Sequence, residues 1–301
     1  MLTVEDFLTL VYCLVDDLLA ALVRIHTNGR GLRPGRMVPI LSDSEVITML
    51  IVGEFLGYDT DKAIWSYFRK HHRRLFPRLG HRTTFVRQAA NLWWFTGALQ
   101  RVLAKHLGAL DDLVHVVDGF PILVAHLARA GRARCFRGDA ARGYCAAKKQ
   151  HFYGFRGHLV ISFDGIITAF ALTAANVDER QAAWDALDEI AGHLLGDKGY
   201  LGRFFALLLQ EQGIALWTPV RKGMAPIEER PWTHEMGRVR RRIETVIGQL
   251  VERFHMGKVK ARDRWHLTAR VNRKLLSHTV ARYLMRQVGI ESMELEELVA
   301  A

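Results

Sequence analysis

Apolar positions recur with a helical period through the first hundred residues. Phe7, Leu8, Val11, Val15, Leu18, Leu19 and Leu22 share one face of a helix over residues 3–24, and Thr3 is placed to cap it. A stretch rich in Gly, Arg and Pro, from Thr27 to Pro39, breaks the pattern. Ser42-Asp43-Ser44-Glu45 has the spacing of a capping box and opens a second helix. Further helical segments are expected over Thr60–Arg73 and Thr83–Leu107, with Trp65, Trp93 and Trp94 in their core. No strand is expected in this part.

The period changes at residue 113. Leu113-Val114-His115-Val116-Val117-Asp118 is a short β-branched run that ends on an acid, followed by Gly119 and Pro121. Phe152–Ile161 and Ile166–Leu172 read as two strands, and Asp164-Gly165 between them signals a hairpin. A helix starts near Asn176, its expected N-cap, and runs to about Ala191. A short strand from His193 to Gly196 ends at Asp197. A helix over 202–212, a strand over Ile214–Pro219 and a long helix over 234–256 complete the order. Consecutive strands followed by alternating α and β predict an α/β fold with a mixed sheet covered by helices on both faces.

Composition narrows the class. Half of the 301 residues are hydrophobic and 24% are charged, enough for a sizeable core and too ordered a mixture for wholesale disorder. Cys13, Cys135 and Cys145 have no zinc-like spacing and are too few for a disulfide framework, which fits a reducing cytosol. No basic segment precedes an apolar run near the N-terminus, so no signal peptide is expected. No uncharged apolar run reaches the ~18 residues of a membrane span.

The net charge of +11 is localised. Residues 238–286 hold 14 Lys and Arg against three acids, a surplus equal to that of the whole chain. Arg241, Arg262, Arg264, Arg270 and Arg273 belong to this block. A second block lies in 122–150, where seven basic residues face Asp139 alone and aromatic residues stand close by. Arginine forks grip phosphates in pairs of hydrogen bonds, so two arginine-rich blocks point to nucleic acid. Each block also has a simpler explanation as a solvated helix face.

Three acids stand out by position. Asp118 ends the first strand, Asp197 ends the fourth, and Glu244 lies on the long helix one turn beyond Arg240. Mg²⁺ takes oxygen ligands and binds through one or two carboxylates plus phosphate. Two such ions can activate a water and stabilise a leaving 3′ oxygen. Lys148, Lys149 and Arg156 flank the adjoining strand and Lys198 follows Asp197, as phosphate contacts or as plain surface charge. His158 is expected as a buried histidine of a strand.

The segments around these acids resemble a known family. They are Asp118-Gly119-Phe120-Pro121, Tyr144 through His158, Leu172 through Glu179, Asp197-Lys198-Gly199-Tyr200 and Arg242 through Leu250. Together, in this order, they are similar to bacterial insertion-sequence DDE transposases, most closely insertion-sequence family 982, over nearly the whole chain. The resemblance implies an RNase H-like catalytic core with Asp118, Asp197 and Glu244 as catalytic, metal-binding triad. It implies two Mg²⁺ or Mn²⁺ ions, cleavage at terminal inverted repeats of double-stranded DNA, strand transfer into target DNA, and a homodimer or higher assembly. The expected layout is a helical DNA-end-binding domain over 1–110, the catalytic domain over 111–256 and a basic helical extension over 257–301. Gly119 departs from the family pattern, where a hydroxyl residue is more usual. An RNase H-like nuclease without strand transfer, and a catalytically silent DNA-binding protein, are the alternatives.

Overall fold

A computed structural model describes residues 1–26, 39–145, 149–187, 190–219 and 233–300. The chain forms two compact units, Met1–Leu103 with Arg253–Ala301, and Ala104–Glu252. The expected C-terminal extension is therefore not a separate element. It belongs with the N-terminal helices, for a reason visible in its own side chains.

The helical unit is built around α2 (Asp43–Phe55). Val46, Ile47, Met49, Leu50, Ile51, Val52 and Phe55 are all buried, so this helix is apolar all round and needs neighbours on every side. It obtains them from α1 (Val4–His26), α3 (Asp61–His71), α4 (Arg82–Asn91) and α9 (Arg264–Gln287). The Ser42 capping box forms as expected, with both reciprocal bonds present. Thr3 caps α1 through the Asp6 amide. The helix expected over Thr83–Leu107 is two, α4 and α5 (Trp93–His106), separated at Leu92. Trp94 is 40% exposed and is not core.

Where α9 meets α2, charge goes inside. Arg273 and Lys274 are buried, and Glu54, 1% exposed, accepts from Arg273 Nε at 2.5 Å and from Lys274 Nζ at 2.6 Å. Arg273 and Arg270 also pair with Asp61 at the start of α3. Two carboxylates thus pair with three cations, of which Arg273 and Lys274 lie away from water. The terminal segments close the unit through a bridge between Leu2 and Val299.

The second unit carries the sheet. β1 (Val114–His126) pairs antiparallel with β3 (Gln150–Ser162) and parallel with β5 (Gly192–Leu195), and β5 pairs parallel with β6 (Ile214–Trp217). β3 has β1 on one edge, and β2 (Ala141–Cys145) and β4 (Ile167–Ala174) on the other. The Asp164-Gly165 hairpin forms, with Gly165 at φ 77°, a conformation glycine adopts without strain.

The first strand does not stop at Asp118. It continues through Pro121 to His126, because β3 pairs with it along its full length; only the pairing with β5 ends at Val116 and Leu195. Against the sheet, α6 (Glu179–Leu187) and α7 (Arg203–Glu211) share a core with Val117, Val160, Leu194 and Leu216. α8 (His234–Glu252) packs against β1 and buries Ile243, Val246 and Leu250. It is pinned to the hairpin by Arg242, whose guanidinium carbon lies 4.1 Å from the centre of the Phe163 ring.

Candidate active site

Register places the first two acids side by side. Val116 and Leu195 are the last paired residues of parallel β1 and β5, and Asp118 and Asp197 each follow by two. Asp118 projects where its parallel neighbour has left the sheet. Asp197 opens the short 3-10 turn Lys198–Tyr200 and accepts from the Gly199 amide at 2.7 Å. The Gly119 amide donates to Asp118 at 2.7 Å.

Glu244 reaches this place from α8 through an arginine. Arg240 donates to Glu244 Oε1 at 2.6 Å, one helical turn away, and approaches Asp118 Oδ2 at 3.4 Å. The same guanidinium therefore joins the first acid to the third.

A fourth acid, Glu179, stands at the start of α6. It pairs with Arg156 of β3, which also donates to the Tyr144 carbonyl at 3.0 Å. Its carboxylate lies over the Asp197 turn so closely that a Cβ added at Gly199 would fall 1.9 Å from Glu179 Oε2. A side chain at 199 would have to push the Glu179 carboxylate aside. In the sequence Glu179 stands only in the helix start expected near Asn176. The cap is in fact Asp178, which accepts from the Arg180 amide at 3.0 Å and leaves Glu179 in the first turn, facing the site. No sequence signal marks it, because only the fold sets the first turn of α6 beside the Asp197 turn.

The carboxylates repel one another. Burial, and next the charge of Asp197, push the Asp118 carboxyl up to about 7, while the Gly119 amide and Arg240 pull the other way. Burial raises Glu179 too, against the pull of Arg156. Tyr200 lies among these acids; its ring is buried, its phenol is pushed well above the usual tyrosine range by burial, and its hydroxyl has no hydrogen-bond partner. His158 is a buried strand histidine, as expected, bonded to Thr173 at 3.0 Å and pushed down to about 4 by burial.

The donor chemistry fits a hard divalent cation: carboxylate oxygens in excess of positive charge, next to an unpartnered hydroxyl. Among the described residues no three Asp, Glu, His or Cys side chains already form a metal-binding group, since Arg240 stands between Asp118 and Glu244. Mg²⁺ needs only one or two protein carboxylates, and Asp118 with Asp197 offers that pair.

The other expected contacts are dispersed. Lys198 is exposed directly after Asp197, whereas Lys149 is exposed just before β3, at the end of that strand away from Leu159, the partner of Asp118. Lys148 lies outside the described residues. Arg241, Arg262 and Arg264 are exposed. Arg273 is corrected: it is 2% exposed and is consumed by Glu54 and Asp61, so it cannot meet a phosphate. Arg270 is likewise committed to Asp61. A run of basic residues cannot reveal which of them have buried acids waiting. Gly119 leaves room for a larger residue, as an added Cβ would meet Arg156 and His158 at ordinary distances of 3.4 and 3.6 Å.

A family model described as a transposase DDE domain matches residues 108–264. No curated protein matches the chain, and no solved structure does. No helix of the described residues is long and apolar enough to cross a membrane.

Proposed function

Because this chain belongs to the transposase DDE domain family, we propose that it is a DNA transposase in which Asp118, Asp197 and Glu244 hold the divalent ions. The carrying observation is the parallel register that sets Asp118 beside Asp197, with Glu244 joined to Asp118 through Arg240. The substrates are the terminal inverted repeats of an insertion sequence of family 982 and a target duplex, in a bacterial cytosol. The core is RNase H-like. Three antiparallel strands, β4, β3 and β1, followed by parallel β5 and β6, support that reading.

Bound Mg²⁺ or Mn²⁺, two ions in the full site, would supply a water of lowered pKa and neutralise charge on the leaving 3′ oxygen. The chain's own part is positioning. β1 and β5 fix the two aspartates on a rigid sheet, and α8 brings Glu244 in from the side. Arg156, oriented by Glu179, and the exposed Lys198 are set to meet phosphates beside the scissile bond, and the exposed Lys149 a phosphate farther along the duplex. Arg241 on α8, and Arg262 and Arg264 in the helical unit, are exposed and are further phosphate contacts. Synapsis of two ends requires a homodimer or larger assembly.

The test is incubation of the full chain with plasmid DNA carrying the element's two ends, with and without Mg²⁺. Nicks that leave 3′-OH at the element boundaries, followed by joining to a target, support the proposal. Cleavage without joining would favour a nuclease, and end binding without cleavage would favour a silent DNA-binding protein.

A further inference from the structure

The helical unit contains a cleft of about 450 Å³ where α3 gives way to α4. Trp65, Arg69, Arg73, Gly80, His81 and Arg82 form much of its wall, and no acid lines it. Its shape is held by specific bonds. Trp65 Nε1 donates to the Gly80 carbonyl at 3.1 Å, and Arg73 donates to the Leu79 carbonyl, so both tie the connecting segment back to α3. Beneath it, Phe68 and Phe76 pack edge to face with ring centres 5.2 Å apart, and Leu79 is buried. The Arg69 guanidinium carbon lies 4.9 Å from the centre of the Trp65 ring.

Positive charge here is uncompensated. Among the described residues, Arg69, Arg73 and Arg82 have no carboxylate partner, in contrast with Arg270 and Arg273 of the same unit. Arg82 begins α4, whose first turn has no acid and whose preceding residue, His81, makes no side-chain cap bond. Three guanidiniums, one of them resting on an indole, around a polar opening constitute a receptor for a phosphate.

We infer that this cleft grips a backbone phosphate of duplex DNA. The inference rests on the proposed DNA-binding function and adds a specific anchor to it. Arginine forks recognise the phosphodiester, which every nucleotide step presents. The cleft offers no acid to accept from a ribose hydroxyl, and Arg69 already occupies a face of the only indole lining it, so a free nucleotide is a poor match.

The experiment measures binding of the full chain to a fluorescent end-containing duplex across a salt series. Arg82→Gln removes a cation with no partner among the described residues, and Arg69→Gln/Arg82→Gln removes two. The plot of log K against log salt should flatten in both variants, more in the double, by up to the ~0.9 of one lost phosphate contact. Thermal melting of both variants should match wild type, since neither exposed arginine holds the fold through an ion pair. Wild-type slope and affinity in the folded double variant would overturn the inference and leave DNA binding intact. A wild-type chain with no affinity for the duplex would instead defeat the proposed function. Equal displacement of the duplex by ATP, at matched ionic strength and phosphate concentration, would also overturn the inference by making this a nucleotide site.

Discussion

Asp118 and Asp197 lie at the same level on neighbouring parallel strands, each two residues beyond the last paired position. The sheet therefore sets the distance between two like charges before any ligand arrives. Asp118 bears the consequence, with its carboxyl pushed to about 7 by burial and by Asp197.

That shift makes a pH prediction. The Asp118 carboxyl is raised above its ordinary value of 3.8, so the folded protein holds a proton that the unfolded chain releases. Its contribution is fully present below about pH 4 and is lost as pH rises through 7. In metal-free protein, wild type should lose stability relative to Asp118→Asn across this window, by on the order of 2–4 kcal/mol. Urea melts at pH 4.5 and 7.5 measure the difference. A constant gap between the two proteins would refute it.

Arg240 gives a second prediction. It bridges Asp118 and Glu244, and its removal leaves the two acids to repel or to find another cation. Arg240→Gln should melt at lower temperature than wild type without metal and gain more on adding Mg²⁺. Equal Mg²⁺-induced shifts in the two proteins would show that Arg240 does not stand where an ion competes.

The helical unit supplies a third. Glu54 is buried between Arg273 and Lys274, and truncating it would strand Lys274 and leave Arg273 with Asp61 alone. Glu54→Ala should cost about 3–5 kcal/mol in chemical denaturation. A loss below 1 kcal/mol would mean that α9 is held to α2 by apolar packing alone.

Much of this architecture was legible because local chemistry dictated it. The Ser42 box, the Asp164-Gly165 turn and the helical stripe of α1 follow from bonds within a few residues. The extent of β1 was hidden, since Gly119 and Pro121 look like a terminus and only pairing with distant β3 keeps them extended. β2, with Arg142 and Gly143 inside it, lacks an apolar alternation and exists because β3 has a free edge to receive it. Among the acids, Asp118, Asp197 and Glu244 could be chosen from their positions, whereas the partners Arg240 and Glu179 needed the fold. The same holds for α9, whose basic residues divide into exposed Arg264 and buried Arg273 according to where Glu54 and Asp61 lie.

In the proposed function, Asp118 on β1, Asp197 just beyond β5 and Glu244 on α8 together perform metal-dependent DNA cleavage. Asp118→Asn, Asp197→Asn and Glu244→Gln each remove one charge with little change in volume. The direct measurement is Mg²⁺-dependent cleavage of an end-containing duplex by each variant, alongside its affinity for that duplex. Each variant should lose cleavage by at least about 1,000-fold, the scale of a lost electrostatic contact in a catalytic site, and bind the duplex within a few-fold of wild type. Cleavage near the wild-type rate in any one of the three would contradict the assignment of that residue.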